Sequence, residues 1–132
     1  MPRYMLDTNI CIYLMKNQPA SVARRFAECR VGDVVISVIT YAELEYGVSV
    51  SAMPERERGN LEALIELIPV LSFGSDAARS YGPVRQATRE RKTDHLDKLI
   101  AAHAISAGAV LVTNNVKDFI PYPGLSIENW LE

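Results

Sequence analysis

A three-layer α/β/α sandwich with a mainly parallel central sheet of four to five strands is the fold this sequence predicts, on three observations. Short apolar runs at residues 4–6, 34–37, 70–73 and 109–112 alternate with longer segments of helical spacing. The runs are unbroken (Val34-Val35-Ile36), as suits strands covered on both faces. The chain has 132 residues, 48% hydrophobic and 23% charged, enough to bury one core and too apolar for disorder.

In chain order, Tyr4 to Leu6 forms the first strand and ends at Asp7. Asp7-Thr8-Asn9 supplies capping side chains for a helix through Met15. Gln18-Pro19 breaks the pattern, and Val22, Phe26 and Cys29 give a second helix with Arg24, Arg25 and Glu28 outward. Gly32-Asp33 turns into the second strand at 34–37, followed by a helix over 40–50. Pro54 opens a helix with Leu61, Leu64, Ile65 and Ile68 on one face, and Pro69 ends it. A third strand spans 70–73. Ser75-Asp76 caps a helix to about Lys92, and a loop runs through 93–96. Asp97 begins a helix that Gly108 stops. Residues 109–112 form the fourth strand and 125–127 a short fifth. No repeat or linker divides the chain, so residues 1–132 read as one domain.

Composition excludes several classes of function. The net charge of -2 gives no global sign of nucleic-acid binding, leaving only a local basic face. The apolar run 99–105 is interrupted by His103 and too short to cross a bilayer. Asp7 falls where an export signal needs its apolar centre, so a cytoplasmic protein with no membrane association is expected. Cys11 and Cys29 lack metal-site spacing and read as small packed thiols.

The acids fall at informative places. Asp7 follows the first strand; Asn114, Asn115 and Asp118 follow the fourth. Glu43 lies near the start of the helix after strand two, and Asp97 begins the helix before strand four. Parallel sheets bind ligands outside the carboxyl ends of their strands. Four carboxylates facing one such crevice repel unless a cation neutralises them. Oxygen donors of this kind suit Mg2+ or Mn2+ and phosphodiester hydrolysis. Taken singly, each acid has an ordinary structural reading, as helix cap, dipole partner or surface residue; the joint placement carries the argument. His103, on an Ala-rich helix, reads as a packing histidine rather than a base.

The motifs Met5-Leu6-Asp7-Thr8-Asn9, Thr40-Tyr41-Ala42-Glu43-Leu44, Asp97-Lys98-Leu99-Ile100-Ala101-Ala102-His103 and Val112-Thr113-Asn114-Asn115 with Asp118-Phe119 occur in one order across nearly the whole chain. In this the sequence resembles the VapC-type PIN-domain ribonuclease toxins of bacterial toxin–antitoxin systems. The resemblance implies a Mg2+- or Mn2+-dependent endoribonuclease with Asp7, Glu43, Asp97 and Asp118 as catalytic acids. Asp7, Asp97 and Asp118 would hold the metal, supported by Thr8, Asn9, Thr113 and Asn115. It also implies a VapB-type antitoxin, a homodimer that enters a higher-order complex with it, and tRNA as substrate, including the initiator tRNA anticodon loop. Relatives usually carry glycine before the second aspartate, where this chain has Asp94. That change predicts a strained turn and extra negative charge beside the site, and makes Asp94 a rival to Asp97.

Residues 79–92 carry Arg79, Arg85, Arg89, Arg91 and Lys92 against Glu90, a local charge of +4. Arg85, Arg89 and Lys92 share one face of the expected helix, and with His95 they are the candidate RNA contacts. Tyr46 and Met53 are candidates for a protein-facing surface. Two other readings compete: a weakened site that serves mainly to bind the antitoxin, and an aspartate-based phosphotransferase. Asn9, where the latter chemistry wants a second aspartate, counts against it.

Overall fold

The computed structural model describes residues 2–131. Its elements in order are β1 (Tyr4–Leu6), α1 (Thr8–Lys16), α2 (Ala20–Ala27), β2 (Val34–Ser37), α3 (Val38–Val50) and α4 (Pro54–Leu67). There follow β3 (Val70–Leu71), α5 (Ser75–Ala87), α6 (His95–Ala107), β4 (Val110–Val112), α7 (Val116–Phe119) and β5 (Ile127–Glu128). The strands lie in the order β3-β2-β1-β4-β5, and every pairing is parallel. Met5 pairs with Val35 on one side and Leu111 on the other.

The two-residue period of the strands splits the core into two layers. Tyr4, Leu6, Val34, Ile36 and Val112 join Ile10, Val22, Leu44, Leu61 and Leu64 from α1 to α4. Met5, Val35 and Leu111 join Val84, Ile100, Ala101, Ala104 and Phe119 from α5 to α7. The small side chains Ala101, Ala102 and Ala104, all fully buried, let α6 lie close to its layer. This is the expected three-layer sandwich.

Several boundaries differ from the sequence reading. α3 begins at Val38 rather than residue 40, because the Ser37 hydroxyl accepts the Ile39 N–H at 3.0 Å and caps it. β3 stops at Leu71, β5 spans 127–128, and the four-residue α7 was not expected. α5 starts from Gly74 without a side-chain cap and ends at Ala87, not near Lys92. Val84 is its last buried apolar residue, and the Thr88 hydroxyl donates to the Val84 carbonyl at 2.8 Å, closing the helix. Beyond it no apolar side chain anchors another turn. Arg85, Arg89 and Lys92 therefore do not form one helical face. α6 begins at His95 instead of Asp97, which puts Asp97 inside its first turn.

The chain passes from β1 outward to β2 and β3, then crosses to β4 and β5 on the other side. The strand order thus reverses beside β1, and the crevice between β1 and β4 opens at their carboxyl ends.

Candidate active site

Asp7 is the first residue beyond β1. Its N–H donates to the Val112 carbonyl at 3.0 Å, extending the ladder to β4. Its Oδ1 accepts the Ile10 N–H at 3.0 Å and caps α1, so the chain's exit from the sheet fixes this carboxylate at the crevice. It is only 5% exposed. Burial pushes the carboxyl above its ordinary range; the Thr113 hydroxyl and the Ile10 and Asn9 N–H groups oppose that rise, and the Glu43 charge adds to it.

Glu43 projects from α3, and its Oε1 accepts the Thr8 hydroxyl at 2.7 Å. Thr8 thus links the start of α1 to the acid of α3. Asp97, half-buried in the first turn of α6, has its carboxyl raised to about 6, first by burial and then by the charges of Glu43, Asp7, Asp118 and Asp94. Asp7, Glu43 and Asp97 line one cavity of about 130 Å3 together with Thr8, Asn9 and Asn115, with Ile100 and Phe119 on its apolar side.

The other site candidates are placed differently. Thr113 is fully buried, and its Oγ1 accepts the Asn115 N–H at 3.0 Å. Asp118, exposed on α7, is not among the cavity's lining residues, although its charge acts on Asp97. Asn115 does line it. Arg85 and His95 are exposed, on α5 and at the start of α6; Arg89 and Lys92 are exposed in the segment between these helices. Arg91 from the same basic run is turned inward. His103 is buried, with Nδ1 2.7 Å from the Ser37 Oγ and the Phe73 ring edge-on at 5.3 Å. Burial holds its pKa below the ordinary value, against a hydrogen bond to the Ser72 backbone. It thereby ties α6 to the cap of α3.

Asp94 corrects an expectation. Its φ of -114° lies in ordinary territory, so no strained turn exists. Its carboxylate, 7% exposed, faces Lys98 Nζ at 3.0 Å and Arg91 Nε at 3.3 Å, and accepts the Tyr122 hydroxyl at 2.5 Å. Burial raises its pKa, but Tyr122, Lys98 and Arg91 together outweigh that and hold it below the ordinary value. Sequence reasoning missed Lys98 and Tyr122 altogether. The only local signal was an acid and a base spaced i, i+4, which normally marks a solvated pair.

Every salt bridge among the described residues goes to Glu128, Glu45, Asp76 or Asp94, and none to Asp7, Glu43 or Asp97. The Thr8 hydroxyl donates to Glu43 and the Ile10 N–H to Asp7, while the charges acting on Asp97 are those of other carboxylates. Among the described residues no three His, Cys, Asp or Glu side chains stand close enough together to hold a metal ion by themselves; Asp7, Glu43 and Asp97 line one cavity without meeting at a point. Two larger grooves lie among α1, α2, α3 and α4. One of about 320 Å3 lies among Leu14, Phe26, Leu64 and Leu67. The other, about 310 Å3, lies between α1, α3 and α4 and reaches Thr8 and Glu43. Both are mainly apolar.

A parallel α/β/α sandwich with acids gathered at the carboxyl edge of β1 is the architecture of a PIN domain, and the family model described as PIN domain matches residues 4–121. The chain belongs to this family, in its VapC-type branch. It is 42% identical to the tRNA(fMet)-specific endonuclease VapC of Shigella flexneri, over 98% of this chain and 99% of that one. Among solved structures it resembles DNA-bound VapBC from Salmonella typhimurium, with a TM-score of 0.90 and 39% identity over 98% of this chain and 99% of that one. VapBC2 from Rickettsia felis bound to a promoter DNA fragment is similar too, with a TM-score of 0.85 and 36% identity, covering 96% and 98% of the two chains.

Proposed function

We propose that this chain is the toxin of a type II toxin–antitoxin pair, an endoribonuclease that requires Mg2+ or Mn2+ and cuts tRNA, with the initiator tRNA anticodon loop as its target. One observation carries the reading: acids from the end of β1, from α3 and from α6 share a cavity, and among the described residues no lysine or arginine is paired with them. The relative from Shigella, named for its action on tRNA(fMet), supports the substrate.

The donor set fits a hard divalent cation, which prefers a few carboxylates plus waters and substrate phosphate over a closed protein cage. Asp7 and Asp97 would hold it, with Asp118 at the rim and Asn115 in the wall. When bound, such a cation supplies activation of water and neutralisation of the charge that builds on phosphorus. Glu43, which accepts the Thr8 hydroxyl, would take the proton released as water attacks. Thr113 fixes Asp7 from behind. Because the Asp94 charge is taken up by Lys98 and Arg91, it does not compete for the cation.

A VapB-type antitoxin is the partner, as in the VapBC complexes this chain resembles. A segment laid along Ile12, Met15, Leu44, Val48 and Leu61 in the groove would end at Thr8 and Glu43, where a basic side chain meets the acids. Tyr46, Val50 and Met53 are exposed and apolar, as a homodimer or partner surface requires. The cytoplasm, where tRNA resides, is the site of action; no helix among the described residues is long and apolar enough to cross a membrane.

Total tRNA incubated with the purified chain and Mn2+ is expected to yield fragments whose mapped ends share one position. EDTA and Asp7→Asn should each abolish them. Metal binding without cleavage would instead favour an antitoxin-binding module with a weakened site.

A further inference from the structure

Lys98 is 1% exposed, an unusual place for a lysine unless it is fully paired. Its Nζ donates to the Arg91 carbonyl at 2.7 Å and faces Asp94 Oδ1 at 3.0 Å. Arg91 in turn donates from Nη1 to the Asp118 carbonyl at 2.9 Å, and its guanidinium lies 5.3 Å from the centre of the Tyr122 ring. Tyr122, 2% exposed, donates its hydroxyl to Asp94 and packs edge-on against Phe119 at 5.6 Å. Phe119 itself lines the acidic cavity. A closed circuit results. It runs from the start of α6 through the segment after α5 to the backbone of α7, and back through Tyr122 and Asp94.

The circuit is poorly explained by stability alone. Apolar side chains of similar size commonly fill such a space at least as well as a buried ion pair, because desolvation offsets the Coulombic gain. What they lack is direction. The ionic contacts fix both the first turn of α6, which carries Asp97, and α7, which carries Asp118 and follows Asn115. The geometry points to Asp94 as a positioning residue: with Lys98, Arg91 and Tyr122 it sets the α6 and α7 sides of the acidic cavity against each other. The role in catalysis rests on the nuclease reading above; the coupling of the two segments does not.

The test uses the full chain and three variants. Asp94→Asn removes the charge and keeps the shape. Tyr122→Phe removes one hydrogen bond and preserves folding if Asp94→Asn does not fold. Arg58→Met breaks the distant Arg58–Glu45 pair as a control. Amide hydrogen exchange is expected to rise in residues 95–100 and 116–119 together in both network variants, and in neither segment in the control. Calorimetric Mn2+ affinity and kcat on tRNA per folded molecule should each fall about 10- to 100-fold in Asp94→Asn, as for other groups that orient metal ligands, with KM within about twofold. Unchanged exchange in both segments, or a rise spread over the whole chain with kcat and Mn2+ affinity intact, would overturn the inference. A wild-type chain that neither binds Mn2+ nor cuts tRNA would sink the nuclease reading instead, leaving the exchange result to decide the coupling.

Discussion

Asp94 and Asp97 stand three residues apart at the start of one helix, yet the fold treats them in opposite ways. Both benefit from the same helix dipole. Asp94 is deeper, has two cations and a hydroxyl on its carboxylate, and is held below its ordinary pKa. Asp97 is more exposed, faces Glu43, Asp7 and Asp118, and is pushed up to about 6. Burial raises both carboxyls. Partners decide the difference: the chain supplies counter-charge to Asp94 and withholds it from Asp7, Glu43 and Asp97, the acids that on the proposed reading would take a cation from solution.

The largest expected effect separates the two groups by function. Asp7→Asn and Asp97→Asn should each cut tRNA cleavage by more than about 100-fold, beyond what loss of an orienting neighbour costs. Neither should destabilise the metal-free protein, because each removes like-charge repulsion and asparagine caps α1 about as well as aspartate. Asp94→Asn should do the reverse in urea unfolding, since it leaves the buried Lys98 without its counter-charge and takes a partner from the half-buried Arg91. Equal destabilisation by all three variants would erase the contrast.

Metal addition sharpens the same point. Mn2+ at one hundred times its Kd should stabilise the wild-type chain by about 2.7 kcal/mol in thermal or urea unfolding. The gain should shrink strongly in Asp97→Asn. A full gain in that variant would place the ion elsewhere.

The pH dependences should have opposite signs. Asp97 has a folded pKa above its unfolded value, so the folded state holds the extra proton, and this group's contribution is lost as pH rises from about 3.8 to about 6. Asp94 has a lowered folded pKa; its contribution is present above 3.8 and lost as pH falls through the folded value. In metal-free protein, Asp97→Asn should flatten the decline between pH 4 and about 6 in urea midpoints. Asp94→Asn should lower the urea midpoint above about pH 4, where this contribution is present, and flatten the decline on the acid side below it. Identical pH profiles for the two variants would show that their partners do not differ as described.

The sheet was legible in the sequence because its signals are local: unbroken apolar runs, a capping Asp7, a stop at Gly108. The acids Asp7, Glu43 and Asp97 were legible because each falls next to a strand or helix end. The end of α5 was not. Arg85, Arg89 and Lys92 keep helical spacing, but exposed charges supply no packing that would hold another turn, and Val84 and Thr88 close the helix first. The fate of Asp94 was hidden for another reason. Its charge looks adverse in isolation, and the residue that completes its shell, Tyr122, lies 28 positions further on. Burial of Lys98 is likewise a tertiary fact, invisible to a pattern that reads Asp94 and Lys98 as a surface pair.

The smallest effects should come from the surface cations, where the contrast between paired and unpaired charge recurs with the signs exchanged. Arg85, Arg89 and Lys92 are exposed and appear in no salt bridge among the described residues, whereas Arg91 is bound to Asp94, Tyr122 and the Asp118 carbonyl. If the exposed three touch RNA phosphates, each change to glutamine lowers the magnitude of the slope of log affinity against log salt by about 0.7 to 0.9. Folding stability should stay within about 0.5 kcal/mol of wild type. Arg91→Gln should leave that slope unchanged and lower the urea midpoint, because its charge is already committed inside the molecule. Filter binding of tRNA from low to moderate salt, paired with urea unfolding, distinguishes the two. A salt slope that falls for Arg91→Gln and not for the others would reverse the assignment and place Arg91 on the RNA.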